Sequence, residues 1–239
     1  MTTITWLGHA TFEFRFASGE VLILDPWIEG NPSFPKGYEV RRVDAIAVSH
    51  GHFDHVHDAL PLAQKFNAKV VAIAEIAGWL EKKGIKGAVG MNKGGTVDLG
   101  FARLTMTHAL HSSSLQDGDK AMYAGEAAGY IIRTKEGRSL YFAGDTGVFS
   151  DMSLIAELYQ PETACLPIGD HYTMGPAEAA LAARLLKVKR VIPMHYATFP
   201  LLTGRPEQLE ANLRGTGIQV QTLKAGQPWE WLAEASTAA

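Results

Sequence analysis

The chain opens on alternating apolar and polar positions. Residues 4–7, 11–16 and 21–24 are three short apolar-rich runs, with Phe12, Phe14 and Phe16 on one face, separated by Gly8-His9 and Ser18-Gly19. A period of two is the pattern of half-buried strands, so an antiparallel meander is predicted here. Asn31-Pro32-Ser33-Phe34-Pro35-Lys36-Gly37 carries two prolines among turn formers and predicts a surface loop of the kind that borders a site.

From Val43 the texture changes. Residues 43–49 form a nearly continuous apolar run, which suits a buried strand whose carboxyl end opens into a loop. Downstream, helices are predicted at 59–66, 76–83, 150–159, 176–186 and 206–213, from spacings of three and four and from Pro and Gly at their ends. Strands are predicted at 69–73, 102–107, 163–166, 190–194, 218–222 and 229–231, with a hairpin joining 130–133 to 139–142. Strands first, then strands alternating with helices, point to an α/β protein of two packed sheets with helices outside: a four-layer αββα sandwich. We expect one domain over residues 1–232 and a frayed tail at 233–239.

Composition narrows the chemistry. The chain has 239 residues, 22 Lys+Arg against 25 Asp+Glu, and a net charge of −3. No basic surplus or long Lys/Arg run exists to follow a phosphate backbone, so no nucleic-acid partner is expected. No apolar run approaches the roughly 20 residues of a membrane span, and Met1-Thr2-Thr3 lacks a basic leader, which together suggest a cytoplasmic protein without a membrane partner. The one cysteine, Cys165, excludes an intrachain disulfide and a four-thiolate zinc site, so any metal must be held mainly by nitrogen and oxygen. Lying inside an apolar run, Cys165 reads as a small core residue.

Four of the nine histidines, His50, His52, His55 and His57, fall within eight residues. In Ser49-His50-Gly51-His52-Phe53-Asp54-His55, three imidazoles and a carboxylate leave one buried strand, and Gly51 is expected to let the chain bend tightly. A surface tract or tag would not follow a core strand directly. Three later positions share the setting of a strand end before a turn: His111, Asp145 and His195. His108 is a rival for His111. Asp25, before Pro26-Trp27, suits either a carboxylate that orients a ligand histidine or a turn. His57 and Asp58 read as the solvated start of the following helix. The segment 91–95 is read as a turn, since it lacks the order of a phosphate-binding loop.

This pattern, His50-x-His52-x-Asp54-His55 followed by His111, Asp145 and His195, resembles the metallo-β-lactamase superfamily. More narrowly, Trp6-Leu7-Gly8-His9-Ala10-Thr11, His111-Ser112-Ser113, Gly144-Asp145-Thr146-Gly147, Leu166-Pro167-Ile168-Gly169, Thr173-Met174-Gly175-Pro176 and Pro193-Met194-His195-Tyr196 resemble its uncharacterised metal-dependent hydrolases related to L-ascorbate-6-phosphate lactonase. The likeness runs from about Ile4 to Trp231 and is specific for fold and metal but weak for substrate. It implies the metallo-β-lactamase fold and two divalent ions, zinc first, with manganese, iron, nickel or cobalt also suited to the donors. His50, His52 and His111 would hold one ion, and Asp54, His55 and His195 the other, with Asp145 bridging. Ser112-Ser113 after it favours His111 over His108.

The resemblance also implies a reaction. Flavodiiron members carry Glu where this chain has His52, and β-lactamases proper use a Cys ligand, so the set looks hydrolytic and outside the antibiotic-resistance branch. A hydroxide generated between the ions would attack a small ester, lactone or phosphodiester, with Asp54 ligating and orienting it. His171, or in second place His9, would serve the oxyanion or the leaving group, with Asp170 beside it at the substrate. A nuclease, or a metal-binding protein without catalysis, is the alternative. Trp27, Phe34, Trp229 and Trp231 suit either a core or a homo-oligomer interface.

Overall fold

The computed structural model describes residues 1–231. The expected tail at 233–239 lies outside the described residues. In chain order, β1 (Thr3–Trp6), β2 (Phe12–Arg15), β3 (Val21–Leu24) and β4 (Ala45–Ala47) lead into the short helix α1 (Phe53–Val56) and α2 (Ala59–Phe66). β5 (Lys69–Ile73), α3 (Ala74–Lys82) and β6 (Ala88–Met91) complete the first half. The second half runs β7 (Thr96–Asp98), β8 (Ala102–His108), β9 (Ser114–Asp117), β10 (Lys120–Tyr123), β11 (Ala128–Thr134) and β12 (Ser139–Phe142). It continues with α4 (Met152–Tyr159), β13 (Thr163–Pro167), α5 (Pro176–Leu185), β14 (Arg190–Met194), α6 (Pro206–Leu213), β15 (Gln219–Val220) and β16 (Pro228–Glu230).

Two seven-stranded sheets result, ordered β16-β1-β2-β3-β4-β5-β6 and β15-β14-β13-β12-β11-β8-β7. The predicted meander is present: β1, β2 and β3 pair antiparallel, with Ile4 opposite Phe14 and Phe12 opposite Leu24. β3 to β6 then run parallel. α2 and α3 cover the first sheet, while α5 and α6 lie on the second and α4 packs on α5. Between the sheets the Phe12 ring meets Phe142 edge-on at 6.1 Å, and the buried Tyr130 hydroxyl donates to the Val48 carbonyl at 2.8 Å. Burying the apolar faces of both sheets against each other supplies the main driving force.

Several expectations shift. The run at 43–49 is regular strand only at β4, because its carboxyl end is drawn into side-chain hydrogen bonding at Ser49. β6 and β7 are edge strands with half-exposed patterns, so they carry little periodic signal. The stretch after His111 folds into the β9–β10 hairpin, whose second strand is wholly exposed. Trp231 is buried in the core, Phe34 and Trp229 pack partly buried against it, and Trp27 is buried against His9 and Phe199. Asp58 is buried too, accepting the Ile28 and Glu29 amides at 2.6 and 3.1 Å, while His57 beside it is half-exposed. No helix among the described residues is long and apolar enough to cross a membrane.

Candidate metal centre

The carboxyl ends of β4, β8, β12 and β14 open on one edge of the sandwich, and each delivers a ligand-type side chain there. His50 and His52 leave β4, with Asp54 and His55 in α1 directly behind them. His111 follows β8, Asp145 follows β12 and His195 follows β14. Donor atoms of His50, His52 and His111 lie within 4.8 Å of one another, as do those of Asp54, His55, His195 and His9. Asp145 sits between the two groups, its Oδ2 3.0 Å from His195 Nε2, 3.4 Å from His55 Nε2 and 3.7 Å from His111 Nε2. The seven residues expected as ligands are therefore brought together.

Gly51 has a different job from the one its sequence suggests. A Cβ there would come 2.6 Å from Ala124 Cβ and 2.9 Å from the Ser114 carbonyl, so glycine lets the β9–β10 hairpin close onto the histidine loop. The unusual backbone lies elsewhere: His9, Asp25 and His195 all adopt positive φ, at 54°, 43° and 55°. Non-glycine residues hold this region at a cost, and such strain concentrates where a site needs a side chain aimed off the end of a strand.

Hydrogen bonds fix which ring nitrogens face the centre. Asp25 is fully buried and accepts the Ser49 amide at 2.7 Å, the Ser49 hydroxyl at 2.5 Å and His55 Nδ1 at 2.7 Å. His55 thus carries its proton on Nδ1 and turns Nε2 toward Asp145. Since the Ser49 hydroxyl proton goes to Asp25, its oxygen is free to accept His50 Nδ1–H at 3.0 Å, which leaves His50 Nε2 as the lone-pair nitrogen. One carboxylate therefore orients a histidine in each group. The orienting reading of Asp25 is the one the structure supports.

His9 is wholly buried behind Asp54 and does not line the cavity. Its Nε2 lies 2.9 Å from Asp54 Oδ2 and its Nδ1 2.9 Å from Thr198 Oγ1. Burial, helped by the charge of His195, lowers its pKa to about 4. Neutral His9 then donates from Nε2 to the carboxylate and accepts the threonine hydroxyl at Nδ1. It holds Asp54 from behind instead of meeting substrate.

Charges are divided unequally. Burial first, then neighbouring positive charge on His55, lowers His50 and His52 below the ordinary imidazole range, and burial lowers His111. For His55 burial also opposes charge, but Asp145, Asp54 and Asp25 outweigh it and raise its pKa well above normal. Burial opposes charge on His195 as well, yet Asp145 and Asp54 raise it to about 9. Asp54 and Asp145 resist the same burial and stay well below the carboxylate range, held by His55 and His195.

The donors fit a metal. His55 Nε2, both nitrogens of His195 and Asp145 Oδ1 are buried without a hydrogen-bond partner. Each such group costs about 1–3 kcal/mol when left unsatisfied, and since an imidazole aims only one nitrogen at a given cation, His55 Nε2, His195 Nε2 and Asp145 Oδ1 are the unpaired atoms that suit a metal. All seven side chains offer nitrogen or oxygen. Cys165 is buried within β13, with its thiol pKa pushed up by burial, and adds no sulfur donor.

Two expected residues, His171 and Asp170, fall away from this centre, as does the rival His108. His171 is exposed at a left-handed φ of 58°, packs edge-on against Tyr172 at 4.5 Å and does not line the cavity, so the catalytic role expected of it is not supported. The turn directs the neighbouring Tyr172 inward instead. Asp170 is likewise exposed and accepts the His171 amide at 2.8 Å, a turn carboxylate. His108 is exposed beside Lys93 and Phe149, which removes it as a rival to His111.

A cavity of about 770 Å³ opens over the donors, bounded in part by Asp54, His111, Asp145 and His195. Its other walls come from residues without a metal-binding signal: Phe53, Ser112, Gln116, Tyr172, Phe199 and Leu201. Phe199 and Thr198 lie only three to four residues beyond His195, and proximity to a ligand was the one available sequence cue.

The model of the Beta-lactamase superfamily domain matches residues 21–196. A UPF0173 metal-dependent hydrolase from Solibacter usitatus is 58% identical over 228 residues, covering 95% of this chain and 99% of that one. The chain belongs to this family. Another UPF0173 metal-dependent hydrolase, from Koribacter versatilis, is 49% identical over 227 residues, covering 95% and 97%. Among solved structures, Igni18, a metallo hydrolase from the archaeon Ignicoccus hospitalis, superposes with a TM-score of 0.84 at 34% identity, covering 95% of this chain and 97% of that one. The UPF0173 chain described here thus has the metallo-β-lactamase fold, with the donor cluster at its strand ends.

Proposed function

We propose that the protein is a cytoplasmic hydrolase of a small ester, lactone or phosphodiester, working at a dinuclear centre. The observation that carries the reading is the convergence of seven nitrogen and oxygen donors, several buried and unpaired, beneath an open cavity. His50, His52 and His111 form one donor set, Asp54, His55 and His195 the other, and Asp145 reaches both. Divalent ions, zinc foremost, would supply a Lewis acid for the substrate oxygen and bring the pKa of a coordinated water near neutrality.

The chain's own residues do the positioning. His9 and Thr198 keep Asp54 ionised and fixed, so its carboxylate orients the nucleophile and does not wander toward the imidazoles. Asp25 and Ser49 hold His50 and His55 in the tautomers that present Nε2. Cavity walls exclude bulk water from one side of the substrate.

Metal-reconstituted protein is expected to hydrolyse small ester or diester substrates in a screen, and Asp54→Ala and His195→Ala to abolish this while circular dichroism shows the fold intact. Unchanged turnover in both variants sinks the assignment.

A further inference from the structure

The cavity walls carry more chemical information than the metal donors do. Its apolar lining is Phe53, Tyr172, Phe199, Pro200 and Leu201. Phe53, Tyr172 and Leu201 are 56%, 51% and 49% exposed, unusual for large apolar side chains grouped beside an ionic centre. Phe53 and Phe199 are also braced. Phe199 stacks on buried Trp27 at 5.6 Å and 24°, and Phe53 meets the same indole edge-on at 5.5 Å. Trp27 in turn backs onto His9 at 5.1 Å, so the wall and the support of Asp54 share one aromatic cluster. Phe53 and Phe199 thus form a buttressed aromatic surface that faces the cavity, the form of a binding wall.

Beyond the donors and the apolar residues, the described lining offers uncharged polar groups, Ser112, Ser114 and Gln116. Among the described residues, no lysine or arginine lines the cavity. Positive charge would come only from bound ions at the reacting group, and nothing remains to pair with a second, remote anion. A phosphate or carboxylate distant from the scissile bond would lose its water and face Asp54 and Asp145 instead.

Resting on the hydrolase reading above, we infer that the substrate is an uncharged carboxylic ester or lactone bearing an apolar acyl chain, which lies along the Phe53–Phe199–Leu201 wall. Hydrolysis joins the oxygen of water to the carbonyl carbon and breaks the bond from that carbon to the alkoxy oxygen. The alcohol leaves with one proton of the water, and the acid ionises by releasing the other. No oxidant or reductant is involved. Ser112, Ser114 and Gln116 offer hydrogen bonds to the ester or lactone oxygens, and the apolar wall selects the chain.

The test uses the metal-loaded full chain with p-nitrophenyl esters from acetate to octanoate, the p-nitrophenyl monoester of adipate with its free terminal carboxylate, and bis(p-nitrophenyl) phosphate. A fully buried methylene contributes about 0.8 kcal/mol, about four-fold, so a half-covered chain gains about two-fold per methylene in kcat/KM. The adipate monoester is expected at least about ten-fold below hexanoate. Leu201→Ala and Tyr172→Ala should lose more on octanoate than on acetate. Calorimetric binding of 2-decanone, tighter than that of 2-butanone, gives a readout independent of turnover. A flat chain-length series, a preference for the adipate monoester, or faster cleavage of the phosphodiester overturns the substrate class and leaves the hydrolase reading standing. No turnover of any probe overturns the hydrolase reading and this inference with it.

Discussion

Replacing Asp25 by Asn changes almost no volume but reverses a chain of hydrogen bonds. The carboxylate only accepts, taking the Ser49 amide, the Ser49 hydroxyl and His55 Nδ1–H. An amide with its oxygen toward the Ser49 N–H presents an NH2 group to the other two. His55 Nδ1 must then become an acceptor, which moves its proton to Nε2, the nitrogen needed for metal. The Ser49 hydroxyl must accept from the new NH2 and turn its proton to His50 Nδ1, moving the His50 proton to Nε2 as well. One atom substituted behind the centre thereby mis-sets a ligand in each donor group. Losing an orienting partner typically costs 10–100-fold in metal affinity, so two ligands together predict a loss of about 10²–10⁴-fold. The metal-free protein also loses a charge-assisted bond to a wholly buried imidazolium, about 3 kcal/mol, or about 6–12 °C in Tm for a chain of this size. Chelator competition gives the affinity, elemental analysis the occupancy and a thermal melt the stability. Ser49→Ala should show a smaller loss, since it severs only the link to His50. Asp25→Asn protein with wild-type metal affinity and Tm would refute the reasoning.

Other consequences follow from the same geometry. Metal loading at pH 7 should release protons from the Asp54–His55–His195 group, because both imidazoles are raised, His195 to about 9, and are protonated without metal. The lowered His50, His52 and His111 group releases none. An indicator titration in weak buffer should therefore show release falling by the His195 share as pH rises past about 9; release that does not fall between pH 7 and 10 contradicts this charge division. His9→Ala removes the donor to Asp54 and should lower kcat about 10–100-fold with little change in KM, with His9→Gln partly restoring it; an effect on KM alone would argue for a substrate contact instead. Gly51→Ala drives a methyl to 2.6 Å from Ala124 Cβ and 2.9 Å from the Ser114 carbonyl, so a melt should register about 1–3 kcal/mol of destabilisation.

Much of this was legible along the chain. The apolar runs that became β3, β5, β12, β13 and β14 are buried on both faces, and continuous burial leaves a plain mark in sequence. Edge strands β6 and β7 and the exposed hairpin strand β10 leave little, because their side chains face water or half-face it. The metal donors were readable for a similar reason: His and Asp at strand ends are restricted residue types in a restricted setting. His171 and His9 shared that residue type but not its outcome. Nothing local distinguishes an exposed left-handed turn at His171 from the buried one at His9, where Asp54 arrives from 45 positions along the chain.

By residue type and short-range pattern, then, the sequence determined the two-sheet architecture, the restriction to nitrogen and oxygen donors and a set of candidate ligands, while the choice of His111 over His108 and the sorting into two donor sets came from the family resemblance. Tertiary structure alone decided which ring nitrogen each histidine ligand presents, that His9 stands behind Asp54, which of the two readings of Asp25 holds, and that the cavity has apolar lining and, among the described residues, no lysine or arginine. These depend on distances between residues far apart in sequence. The packing of Thr198 against His9, across 189 positions, is one such contact, and no local periodicity reports it.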